Sequence, residues 1–264
     1  MAQMIPGFMF TGSVSNLSAY KRRDSDKVIL RTKGGASKEK IKQLPSFEKT
    51  RKINKEFGGR STTCKWIRRA LNPQLPLADY NIAGTLNGLL IPVQKLDTEN
   101  PYGQRSVCLS KQPSLLSGFS LNQSYPFDST VRNPVAFTLS RDSLSASVEI
   151  PALLPGINFH APGKHPLYSF VTALGIVPDV VFDGVEYDVP IDYNTLGAKP
   201  VESAWYPVLN GSPALRLEVS YPIPPPDSAF SIMLSIGIRF GTVADGGVVH
   251  QVEHAGSAKV LAVE

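Results

Sequence analysis

The chain has little cysteine, few charged residues and no long apolar run. Cys64 and Cys108 are the only two cysteines among 264 residues. Two thiols cannot build a disulfide framework or fill a four-ligand zinc site. No stretch approaches the roughly 20 apolar residues of a membrane helix. The start, from Met1 to Phe10, has no basic region and no apolar run of signal-peptide length. A cytoplasmic chain with no membrane partner is therefore expected, with the Asn-x-Ser triplets at Asn16, Asn122 and Asn210 incidental. Charged residues make up 19%, below the usual quarter of a folded domain. That favours extensive burial, including burial against other subunits. The 22 prolines and 21 glycines follow no short period, which excludes collagen.

Motifs that carry chemistry are missing as well. No Gly-x-Ser-x-Gly elbow occurs. The stretch from Gly156 to Gly163-Lys164-His165 has the wrong spacing for a phosphate loop, and histidine stands where a magnesium-binding hydroxyl should be. His250 and His254 are spaced as helical metal ligands are, but they fall in a predicted strand or loop, where that spacing does not aim both at one ion. His160 and His165 lie in a proline-rich loop. Cys64 falls on the apolar face of a predicted helix and reads as core. Cys108 has no nearby base in the sequence. No catalytic residue, cofactor, metal ligand or small-molecule substrate is expected.

Charge is distributed very unevenly. Residues 21–69 hold 17 Lys/Arg and 5 Asp/Glu, a local +12, while the remainder holds 10 and 17, hence −7. A basic face is expected on Lys38, Lys42, Lys49, Arg51, Lys52, Lys55, Arg60, Arg68 and Arg69. It suits an acidic protein surface or nucleic-acid phosphates; the plainer reading is a set of solvated helix faces. No aromatic–basic interleaving, helix-turn-helix or RNP pattern accompanies it. The acidic counterpart is Asp179, Asp183, Glu186, Asp188 and Asp192. Four of these, Asp183, Glu186, Asp188 and Asp192, form the expected acidic face, with no calcium-loop spacing among them. A solvated strand is the plainer reading here too.

The pattern along the chain predicts an α+β fold. Residues 1–35 read as an N-terminal β-hairpin segment, with β-rich runs either side of Asp24-Ser25-Asp26 and a stop at Gly34-Gly35. Residues 36–96 read as a basic module of short helices. Ser37 caps one running through Leu44. Phe47, Thr50, Ile53 and Phe57 make the stripe of a second, ended by Gly58-Gly59. A third follows Ser61, and Asp79 caps a fourth that Pro92 limits or kinks. Residues 97–134 read as a turn-rich linker, and 135–264 as an antiparallel β-sandwich. Within it Ser169–Val177 suits a central strand, and Val180 to Tyr187 is a hairpin with a two-residue Asp183-Gly184 turn.

Several words of the sequence resemble a known family. They are Gly12 to Tyr20 (GSVSNLSAY), Arg31 to Gly35 (RTKGG), Phe47 to Arg51 (FEKTR) with Asn54, Glu56, Phe57 and Gly58, and Arg68 to Leu71 (RRAL). Gly103 to Arg105 and Leu115 to Phe119 extend the likeness, as does the ending, a long strand, a polar turn and a short apolar tail. The family is one of Bacteroidetes conserved hypothetical proteins of about this length without signal peptides. The resemblance implies a shared architecture and brings no catalytic residue with it.

Together these features predict a non-enzymatic structural subunit. It assembles with copies of itself into a cytoplasmic or phage-related filament, tube or shell, basic face to acidic face, so that its location is the cytoplasm or a virion. The alternative is a nucleic-acid-binding protein using residues 21–69.

Overall fold

The computed structural model describes residues 10–21 and 27–264. The chain divides into two compact units, Met1–Arg51 and Lys52–Glu264. It is an α+β protein in which helices precede a C-terminal set of antiparallel sheets.

In the first unit, β1 (Gly12–Val14), β2 (Leu17–Lys21) and β3 (Val28–Thr32) form an antiparallel sheet in chain order. Strands β2 and β3 pair from Leu17 opposite Thr32 to Lys21 opposite Val28, the expected hairpin. Its expected turn at Asp24-Ser25-Asp26 lies outside the described residues. Helix α1 (Lys38–Gln43) starts at Ser37, whose hydroxyl accepts the Lys40 N–H. A single 3₁₀ turn, Pro45–Phe47, follows.

Helix α2 (Glu48–Ala70) begins in the first unit and continues in the second. The expected break at Gly58-Gly59 does not occur. Gly59 instead lies against the ring of Tyr187, and a Cβ there would stand 2.6 Å from a ring carbon. The glycine serves close packing, and the helix continues because its second half buries Cys64, Trp66, Ile67 and Ala70. Helix α3 (Ile82–Lys95) is capped by Asn81, whose side chain accepts the Ala83 N–H. The expected cap, Asp79, accepts the N–H groups of Gln123 and Ser124 instead. Pro92 lies inside this helix with its ring exposed rather than ending it.

The second unit is built on two antiparallel sheets, an arrangement like a β-sandwich. The larger centres on β6 (Leu167–Pro178) and β12 (Phe230–Val243), paired without slip from Phe230 opposite Pro178 to Gly241 opposite Leu167. Strand β13 (Val249–Val263) extends one side. Strands β9 (Lys199–Glu202) and β10 (Tyr206–Pro207) pair with β6 on the other. The smaller sheet has the order β11 (Leu215–Ser220), β5 (Ser145–Ile150), β4 (Ala136–Ser140).

Strand alternation divides the large sheet into two chemistries. One face carries Tyr168, Phe170, Leu174 and Ile176 beside Ile232, Leu234, Ile236 and Ile238, all buried in one apolar core with Val148, Ile150, Leu217 and Val219 of the small sheet. The other face carries a run of small residues, Ala173, Gly175, Ser231, Ser235 and Gly237, among the larger Val171, Val177 and Met233. The chain following α2 lies directly on it. A Cβ on Gly175 would sit 2.5 Å from the Ala70 Cβ, and one on Gly237 would collide with Gln74 and Leu77. The Gln74 amide donates to the Val171 carbonyl at 3.0 Å. Small residues on the sheet therefore let the helical layer approach backbone to backbone.

This contact corrects the expected domain boundaries. Residues 36–96 are not a separate helical module, because α3 and most of α2 share the second unit's core. Residues 97–134 are not a linker. Val107, Leu109, Leu116, Leu121, Phe127 and Val131 are all buried in the same core. The predicted Asp183-Gly184 turn is also longer than two residues. Strands β7 (Val181–Phe182) and β8 (Tyr187–Asp188) pair across four residues, 183–186. The Asp183 carboxylate accepts the N–H groups of Val185 and Glu186 and so holds that wider turn.

Candidate functional site

The end of β6 and the β7–β8 hairpin position a cleft of about 270 Å³ lined by Asp179, Asp183, Asp188 and Asp227, with Val181, Pro190, Tyr193 and Ala229. Asp179 is buried where β6 gives way to β7, and its carboxylate accepts the Ser110 N–H at 3.1 Å and the Ser110 hydroxyl. Asp227 accepts the Tyr193 hydroxyl at 2.6 Å and the Ala229 N–H at 2.8 Å. The two N–H groups from Glu186 and Val185 hold the Asp183 carboxyl below its ordinary range. Burial, then the Asp227 carboxylate, push the Tyr193 hydroxyl far above its ordinary range, so it stays protonated and serves as a donor.

The cleft thus concentrates carboxylates, and apolar side chains stand free around it. Val181 lines it at 47% exposure, while Val185 and Ile191, on the adjoining turns, are 79% and 78% exposed. Of the expected acidic face, Asp183 and Asp188 line this cleft. Glu186 and Asp192 are exposed but are not among its lining residues. Asp179 joins them from the sequence's acidic set. Sequence reasoning misses Asp227, which follows three consecutive prolines, Pro224 to Pro226, far along the chain; the Asp179 N–H donating to the Ala229 carbonyl at 2.8 Å and the Tyr193 hydroxyl donating to its own carboxylate bring it in. Among the described residues, no group of three or more His, Cys, Asp or Glu is placed to hold a metal ion.

The residues of the expected basic face divide between side chains engaged in the fold and side chains that are exposed. Arg51 donates to the Ile41 and Leu44 carbonyls and closes the end of α1. Lys55 lies over the Phe182 ring at 4.2 Å, close enough to Asp183 to favour its charged form. Arg60 donates to the Gln94 side chain, and Arg69 donates to the Asn194 carbonyl while lying over Trp66. These four guanidinium and ammonium groups serve the fold. Lys52 sits in α2 beside Gly103. Lys38, Lys42, Lys49 and Arg68 are exposed. The physical reason is geometric: a long cationic side chain on a half-buried helix lays its stem on neighbouring apolar surface and finds the nearest carbonyl or ring.

Other ionisable groups are committed to structure. Glu56 is buried and accepts two hydrogen bonds from Arg105, at 2.6 and 2.8 Å, and one from the Gly103 N–H. Burial alone would raise its pKa; the Arg105 and Gly103 bonds outweigh burial and lower it. The Gln94 amide joins the same hub by donating to the carbonyls of Glu56 and Arg105. Asp97 is likewise buried, yet bonds from Asn100, Ser106 and Glu99 hold it down to about 2. Burial, then the Asp179 charge, push the Cys108 thiol up to about 11, so it is no thiolate nucleophile at neutral pH. Burial also raises the Cys64 thiol.

No family model, curated protein or solved structure matches the chain. Among the described residues, no helix is long and apolar enough to cross a membrane.

Proposed function

We propose that the chain is a non-enzymatic structural subunit that assembles with copies of itself into a cytoplasmic or phage-related filament, tube or shell. The acidic cleft of one copy receives the exposed lysines of the N-terminal unit of the next. The observation that carries this reading is the joint presence of four carboxylates and exposed Val181, Val185 and Ile191 around one cleft. Its complement is in the same chain: Lys38, Lys42 and Lys49 are exposed, and Leu44 between them is exposed too. A cationic segment that also carries an apolar side chain matches a cleft with both features. The first unit holds eleven Lys/Arg against four Asp/Glu and the second sixteen against eighteen, so the units differ in sign. Contact between unlike patches on identical subunits is heterologous, and it propagates into rings or filaments.

The test is sedimentation and negative-stain microscopy across salt, from about 50 mM to about 1 M, where the screening length falls several-fold. Particles larger than the monomer at low salt, lost at high salt and lost in Asp183→Lys/Asp188→Lys, are expected. A monomer at every salt concentration refutes the proposal.

The local +12 of residues 21–69 favours one second reading, phosphate binding by the basic segment. A gel shift with Lys38→Glu/Lys42→Glu/Lys49→Glu separates it, since these positions are exposed and Arg51, which closes α1, is left intact. Unchanged binding of DNA and RNA by this variant removes that reading.

A further inference from the structure

We infer that the free edge of β4 is a strand-addition site, and that its occupant is β3 of a second copy of this chain. The inference rests on the self-assembly reading and names the backbone contact that would join subunits.

An exposed strand edge is a row of unpaired N–H and C=O groups that templates pairing with another chain. Folded proteins blunt such edges with proline, charge, bulges or a covering segment. The other edges of the second unit's two larger sheets are blunted in these ways. Strand β13 is covered over Ala258–Val260 by residues 118–121, which exchange three backbone hydrogen bonds of 2.9 Å with it. Strand β9 carries Pro200 between Lys199 and Glu202, and β10 ends on Pro207. Strand β11 presents Arg216 and Glu218.

Among the described residues, strand β4 has none of these devices. Its sequence, Ala136-Phe-Thr-Leu-Ser140, contains no charge and no proline. It pairs with β5 in unbroken register, from Ala136 opposite Glu149 to Ser140 opposite Ser145, so no bulge turns it away. It is the terminal strand of its sheet, and Ala136, Phe137 and Thr138 are exposed.

The first unit supplies the matching edge. Among the described residues its sheet ends on β1, three residues long, and on β3, five residues long, the same length as β4. Strand β3 reads Val28-Ile-Leu-Arg-Thr32, with half-buried Val28, Ile29 and Leu30. Among the described residues of this unit Ala19 alone is buried. Burial among the described residues therefore gives this sheet only a small hydrophobic term. Docking β3 on β4 of another copy would satisfy both edges and place Val28, Ile29 and Leu30 beside the side chains of β4. Main-chain bonds give such contacts affinity, and alternate side chains give register.

Cysteine cross-linking between separate copies tests this. Ala136→Cys, Thr138→Cys and Ser140→Cys are each mixed with Leu30→Cys or Arg31→Cys under mild oxidation at assembling salt. Opposed strand residues hold their Cβ atoms about 4.5–5.5 Å apart, within disulfide reach, so the six mixtures sample both faces and neighbouring registers. A disulfide-linked dimer in at least one mixture, absent from each variant alone and from the parent, is the expected result. The parent's Cys64 is buried and Cys108 half-buried, which keeps the background low. Dimers of a β4 variant with itself would assign the occupant as another β4 and overturn the inference. No dimer in any mixture while particles persist overturns it but leaves self-assembly standing; a monomer throughout overturns both. Amide exchange on the unsubstituted protein gives a second reading. Residues 136–140 should slow at least tenfold between dissociating and assembling salt, and equal exchange counts against the inference.

Discussion

Gly58 and Gly59 are neighbours in one helix, and alanine at the two positions should act with opposite sign. Gly58 has nothing within 4 Å of a Cβ. Alanine there gains helix propensity of about 0.8–1 kcal/mol with no steric cost. Gly59 gains the same propensity, but its Cβ would stand 2.6, 2.7 and 2.8 Å from three carbons of the Tyr187 ring. The ring is not free to swing. Its hydroxyl donates to the Arg105 carbonyl at 3.0 Å, and it packs on Phe182 with centroids 5.2 Å apart. Overpacking costs about 1–3 kcal/mol, and a lost hydrogen bond costs about 1 kcal/mol more. After the propensity gain, Gly59→Ala should be destabilised by about 1–3 kcal/mol. Gly58→Ala should melt about 2–4 °C above the parent and Gly59→Ala at least as far below it. Urea denaturation followed by circular dichroism reads both. Equal stability of the two variants would refute the claim that Tyr187 packing, rather than helix ending, explains the glycine pair.

Three further outcomes follow from the ionisable groups. Glu56→Gln should lower stability by about 3 kcal/mol in urea titration, the lower end for a broken buried pair, because the Arg105 side chain keeps 19% exposure. A variant within about 0.5 kcal/mol of the parent, the spread of a neutral surface change, contradicts the hub. Asp97, at 3.8 when free and about 2 in the fold, contributes stability that is present above pH 4 and is lost as pH falls towards 2. Asp97→Asn should therefore be less stable at neutral pH and show a shallower acid limb; a parallel limb would count against the assignment. Alkylation of Cys108 should remain slow at pH 8 and accelerate only as pH approaches 11, with fast labelling at neutral pH as the contrary result.

What the sequence revealed depended on whether the deciding partner was local. The run Ser169–Val177 read as a central strand because a strand buried on both faces has no polar alternation, and β6 is that strand. Ser37 read as a cap because its acceptor role is filled three residues away. Gly59 misled because its partner, Tyr187, sits in another element, and a glycine pair alone resembles a helix stop. Leu109, Leu116 and Leu121 are buried one at a time from short turns, so they leave no periodic trace and the segment read as a linker. The cleft was half legible. Asp183 and Asp188 belong to one hairpin, whereas Asp227 arrives through the pairing of β12 with β6 and its bond to Tyr193.

The distribution of charge, looked at by partner, separates the structural cations from the available ones. Lys55 lies over Phe182 of the β7–β8 hairpin and favours the charged form of Asp183, and Arg69 donates to the Asn194 carbonyl of the 3₁₀ turn Ile191–Thr195, so both cations are engaged inside the second unit. Arg105 is paired with Glu56 in the same unit. Of the expected basic face, Lys38, Lys42 and Lys49 are exposed in the first unit and Lys52 and Arg68 in the second, while the cleft carboxylates Asp183 and Asp188 are exposed in the second. An intramolecular ion pair and an intermolecular one respond differently to salt: the partly buried pair is screened little, the exposed pair strongly. A protein whose fold is insensitive to salt but whose particle size is not is therefore the signature expected of this arrangement. If salt unfolded the chain over the same range in which it dispersed the particles, the exposed and the structural charges would not be separate populations, and the assembly reading would lose its footing.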